Sequence, residues 1–102
     1  MFRTLSPLRL ASAAALALAL SAGSAVANCY ADYKAKQDNP LRLHYGVIEL
    51  PDGACGSRDA AAGEISRRIS RDGWKLLSVL SIFGPEGLDQ RKQDAGAYYL
   101  RY

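Results

Sequence analysis

Hydrophobic and polar positions follow several distinct rhythms along this chain of 102 residues. From Leu10 to Leu20 runs an unbroken series of Ala, Leu and Ser, and the small residues Ala25 and Ala27 follow it. Residues 28–40 are then mostly polar, with Asp32, Lys34, Lys36, Gln37 and Asp38 ahead of the turn signal Asn39-Pro40. Tyr30 and Tyr33 can lean on a core, but this arm otherwise reads as irregular. Residues 41–50 alternate, with Leu43, Tyr45 and Val47 on one face and His44, Gly46, Ile48 and Leu50 on the other. A period of two in β-branched and aromatic company predicts a strand. Pro51-Asp52-Gly53 ends it as a turn.

The rhythm changes to helical spacing over residues 58–72, where Ala61, Ala62, Ile65 and Ile69 fall on one face. Ser57 or Asp59 supplies the N-cap oxygen, and Gly73 suits the left-handed residue that closes a helix. Residues 74–83 form the most apolar stretch after position 27 and predict a strand buried on both faces. Gly84-Pro85 breaks it. Residues 86–94 are nearly all polar, and Pro85 at the start with Gly96 at the end predicts a short exposed helix, read as a solvated charged connector. Residues 97–102 alternate again, with Tyr98, Leu100 and Tyr102 opposite Tyr99 and Arg101, which predicts a last strand.

These elements specify an α+β fold: a small three-stranded sheet in the order of chain strand-helix-strand-strand, with one main helix packed on one face. The strand–helix–strand unit requires its two strands to run parallel. The simplest sheet then places the C-terminal strand in the middle.

Composition matters chiefly through the first 27 residues. Arg3 and Arg9, the apolar run and Ala25-Val26-Ala27 together read as a secretory signal peptide cleaved between Ala27 and Asn28. The uncharged stretch 10–27 reaches the length of a membrane span, but it is dominated by Ala, Ser and Gly and no basic stop-transfer cluster follows it. Arg3 and Arg9 are not adjacent, so the twin-arginine signal is missing, and Asn28 before Cys29 does not suit lipidation. Processing leaves a single domain, 28–102, with a periplasmic or secreted address and no stable membrane insertion. It also removes two arginines, so the formal net charge falls from +3 to about +1. Overall charge then gives no support to a nucleic-acid partner.

Export also changes what the two cysteines mean. Cys29 and Cys55 reach an oxidising compartment, and two cysteines allow one intramolecular bridge. Their spacing is far from Cys-x-x-Cys, which favours a structural staple over a redox pair.

Residues 64–79 and the end of the chain resemble a small bacterial domain-of-unknown-function family, number 4177. The likeness is carried by the helix ending in Asp72, by Gly73-Trp74-Lys75-Leu76-Leu77-Ser78-Val79, and by Tyr98-Tyr99-Leu100-Arg101. It implies the strand, helix, Gly-Trp, strand, strand arrangement and brings no activity, ligand or catalytic residue. The chain departs from that family in its leader, its cysteine pair and the insertion 84–96.

Candidate chemistry is sparse. His44 is the only histidine, and no motif sets it beside a nucleophile or further ligands. It reads as a strand residue, partly exposed or hydrogen-bonded. Glu49 and Asp52 lie close in sequence, but at a strand end and in a turn, where acids are ordinary. No catalytic residue, cofactor motif or metal set is therefore assigned. Arg67, Arg68 and Arg71 make a basic helix patch that, with the six tyrosines, suits an anionic polymer or an acidic lipid surface. The first expectation is an exported, non-catalytic binding or structural module. It would contact a protein or envelope component through tyrosines on the sheet face opposite the helix, a surface that also admits a homodimer. The alternatives are a small hydrolase using His44 or Glu49, and an anion or lipid binder using Arg67, Arg68 and Arg71.

Overall fold

A computed structural model describes residues 28–102; the leader and Ala27 of its expected cleavage site lie outside the described residues. The elements are β1 (Cys29–Gln37), β2 (Arg42–Leu50), α1 (Arg58–Ile69), β3 (Lys75–Phe83) and α2 (Asp89–Ala95), with short 3-10 turns between them. The class is α+β, with one three-stranded sheet in the order β2-β1-β3.

The arm that reads as irregular is in fact the central strand. β1 pairs antiparallel with β2 from Cys29↔Leu50 to Gln37↔Arg42, and on its other side with β3 from Tyr30↔Phe83 to Lys36↔Lys75. The physical reason is an inward row of Cys29, Ala31, Tyr33 and Ala35, which alternates with polar residues but carries too little β-propensity to stand out. Pairing on both edges compensates for that weak preference. The turn at 38–41 uses Asn39 in the left-handed region at φ 63, a conformation asparagine tolerates.

The expected C-terminal middle strand is corrected by the same pairing. With β1 between β2 and β3, both of its edges are occupied. Gly96–Tyr98 forms a 3-10 turn, and Tyr99 makes only an isolated parallel bridge to Val47 on the outer edge of β2. The Leu100 N–H donates to the Val47 carbonyl at 2.8 Å. β2 and β3 still run parallel to each other, as a strand–helix–strand crossover requires, but as non-neighbours.

α1 begins and ends on the residues its sequence assigns. The Ser57 hydroxyl accepts from the Ala60 N–H at 3.0 Å, and Gly73 closes the following turn at φ 82. Ala61, Ile65 and Ile69 are fully buried against Ala31, Tyr33, Ala35, Ile48 and Leu50. The Tyr33 ring lies directly on Gly46, its cross-strand partner, where an added Cβ would stand 2.6 Å from the tyrosine oxygen. Only glycine leaves room for that ring. The Cys29–Cys55 disulfide then ties the start of β1 to the loop before α1.

β3 is not buried on both faces. Two register irregularities interrupt its pairing with β1, and Leu77 and Leu80 remain exposed. β-Bulges re-aim side chains in this way. Nor is α2 merely a solvated connector. Its Arg91 lies 4.0 Å over the Phe83 ring and ion-pairs with Asp32 on the sheet face opposite α1. Seven residues of helix span only about 10 Å, however, against about 30 Å for a nine-residue strand. α2 therefore covers one end of that face and leaves the other end open.

Candidate functional site

His44 sits on the α1 side of β2, buried at 8% exposure. Its ring stacks on Tyr98 at 3.7 Å between centroids and meets Trp74 edge-on at 4.3 Å. A 2.9 Å hydrogen bond links Nε2 to the Tyr33 hydroxyl, while Nδ1 is buried without a partner. Burial, reinforced by the nearby Arg101 charge, lowers its pKa to about 4. The cluster holds a neutral imidazole as packing material. The unfolded chain takes up the proton near pH 6.5 and the native chain only near 4, so stability is full above 6.5 and falls as the pH drops toward 4. Each pH step across that window is worth about 1.4 kcal/mol, so about 3 kcal/mol should be lost. Urea midpoints taken between pH 7 and 4.5 check this, because a His44→Phe variant should lose most of the slope.

On the other face Asp32 collects three donors. The Ser81 hydroxyl donates to Oδ1 at 2.6 Å, while the Tyr45 hydroxyl and Arg91 Nε donate to Oδ2 at 2.9 and 3.1 Å. Burial alone raises the carboxyl, but the hydrogen bonds from Ser81, Tyr45 and Arg91 outweigh it and hold the pKa below its ordinary value. Every donor comes from a different element, so Asp32 joins β1, β2, β3 and α2 at one point.

Glu49 lies on the face opposite His44, because an odd separation along a strand reverses the side-chain direction. Its Oε2 accepts from Asn28 Nδ2 at 2.8 Å. With Pro51, Arg68 and Tyr102 it borders a cleft of about 340 Å³. Arg68 is committed there: Nη1 donates to the Tyr102 carbonyl at 3.1 Å and Nη2 to the Glu49 carbonyl at 2.6 Å. Its Nε stands 3.1 Å from Glu64 Oε2, near enough for an ion pair though not aligned as a hydrogen bond. Arg67 also pairs with Glu64, at 2.6 Å, which leaves Arg71 as the member of the trio with no ion pair among the described residues. One glutamate thus offsets one of the three charges, and two carbonyls hold Arg68 in place.

Of the six tyrosines, Tyr30 and Tyr45 lie on the face opposite α1. Tyr33, Tyr98 and Tyr102 pack with the α1 core, Tyr30 stacks on Phe83, and Tyr45 is held by Asp32. The open end is built from leucine and lysine beside Tyr45. A groove of about 290 Å³ runs between Lys34, Leu43, Tyr45 and Leu77. Leu43 and Leu77 are 65% and 52% exposed, and Leu41 in the adjoining turn is 63% exposed. Leu43 and Tyr45 were visible in the sequence as positions sharing one face of a strand. Their significance depended on how far α2 reaches.

Among the described residues no group of three or more His, Cys, Asp or Glu is placed to hold a metal ion. No helix among them is long and apolar enough to cross a membrane. Comparison with protein-family models, with curated proteins and with solved structures yields no match.

Proposed function

We propose that this protein is an exported, non-catalytic binding module of the cell envelope that meets its partner on the open end of the sheet. The observation that carries the reading is the set of exposed leucines beside the groove, on a sheet held rigid by a disulfide and a buried carboxylate network. Exposed apolar side chains gathered on one face of a small domain are a recurrent mark of contact surfaces. The leader-like first 27 residues and the Cys29–Cys55 bridge support a periplasmic or secreted address. The likeness to family 4177 belongs to the same reading, supported by the helix, Gly73-Trp74 and β3.

A hydrolase acting through His44 or Glu49 has less support. His44 faces a tyrosine hydroxyl and two aromatic rings, and Glu49 faces an asparagine amide. A photoreactive residue placed at Leu43, in the chain secreted from its own leader, should give envelope-specific adducts. The same residue at Ser66, on the exposed side of α1, should not. Equal labelling from both positions, or retention of the protein in the cytoplasm, would reject the proposal.

A further inference from the structure

The open end of the sheet gathers positive charge from two strands. In the register of the sheet Lys36 stands directly between Leu43 on β2 and Lys75 on β3. Like charges opposed across strands repel. One strand position further on, Lys34 stands between Tyr45 and Ser78. Among the described residues the acid ion-paired with these lysines is Asp38, whose Oδ1 lies 3.4 Å from Lys36 Nζ, while Asp94 lies near Tyr45. Asp38 offsets one of three ammonium groups. Asp32, further along the same face, is already satisfied by Ser81, Tyr45 and Arg91.

Leu41, Leu43 and Leu77 are interleaved with these lysines, and all four residues of the turn 38–41 are exposed. The turn is therefore a protruding tip bearing an apolar side chain. A tip of this kind needs no complementary pocket in its partner, only a soft apolar layer beneath an anionic one. We infer that the 38–41 turn and the adjoining sheet face dock on the surface of an anionic phospholipid leaflet. Lys34, Lys36 and Lys75 pair with headgroup phosphates while Leu41, Leu43 and Leu77 enter the headgroup–acyl boundary. This inference rests on the envelope-binding reading above and names its ligand. It differs from the Arg67, Arg68 and Arg71 surface, of which Arg67 and Arg68 are engaged by Glu64 and by the Glu49 and Tyr102 carbonyls.

Co-sedimentation tests it, using protein recovered from the periplasm and vesicles of phosphatidylcholine with or without phosphatidylglycerol. The protein should partition onto the phosphatidylglycerol vesicles, less so as salt rises. A Lys34→Gln/Lys36→Gln/Lys75→Gln variant should partition on the order of a hundredfold more weakly. Leu41→Ser/Leu43→Ser should also weaken binding, with unfolding curves recorded for every variant to confirm an intact fold. A Leu43→Trp probe should shift its emission to the blue on anionic vesicles. Equal partitioning onto both kinds of vesicle, or a triple lysine variant that binds like the parent, overturns the inference. Failure on vesicles combined with a protein adduct from position 43 removes the lipid and keeps the binding module. Failure of both removes both.

Discussion

Replacing Cys29 and Cys55 together by alanine should lower the folding free energy by about 3.5 kcal/mol. The bridge closes a loop of 26 positions, and chain entropy released in the unfolded state sets that figure. For a domain of this size the loss is comparable to the net stability a single small core supplies. The bridge also fastens the start of the central strand to the approach to α1, so its removal loosens β1, on which both neighbouring strands depend. Denaturant unfolding of the double variant beside the parent, each with and without reductant, gives the measurement. Reductant should destabilise the parent to the level of the variant and leave the variant unchanged. A parent indifferent to reductant would show that the core alone holds the fold.

Asp32→Ala should cost about 4 kcal/mol, because truncation leaves Arg91 without its counter-charge and strips the Ser81 and Tyr45 hydroxyls of their acceptor. The Asp32 and Arg91 side chains are only 9% and 21% exposed, so water replaces little of what is lost. Arg91→Leu in the Asp32→Ala background should restore part of the stability, and the double-mutant cycle reports the coupling. Purely additive losses would mean that the network is a set of independent contacts. The sign of the pH dependence follows from the lowered carboxyl. Its contribution is complete above the unfolded value of 3.8 and disappears as pH falls through the lower native value. Acid should therefore weaken the protein in two stages, first through His44 between 6.5 and about 4, then through Asp32.

The contrast between these residues shows why some of the molecule was legible in advance. His44 was readable as a strand residue, partly exposed or hydrogen-bonded, and the structure adds the burial and aromatic enclosure that keep it neutral. Asp32 gave no signal at all: an acid in a polar arm becomes a structural hub only when three other elements close around it. The arginine trio was conspicuous on the helix, but two of its members are consumed locally by Glu64 and by main-chain oxygens. Lys36 and Lys75 lie far apart in the chain, so their opposition exists only in the register of the sheet.

The sequence by itself determined the local elements and the covalent pairing. Period-two alternation marks β2, helical spacing with Ser57 and Gly73 bounds α1, Pro85 and Gly96 frame the short second helix, and two cysteines leave one bridge. Each of these rests on interactions within a few residues or on simple counting. Tertiary structure alone decided that the polar N-terminal arm is the central strand, that the C-terminal segment is confined to an edge, and that leucines and lysines form the open end of the outer face beside Tyr45. Strand order follows from which backbone can have both edges paired. Exposure follows from how far a seven-residue helix reaches across a sheet three times its length. Neither quantity is carried by any local stretch of residues.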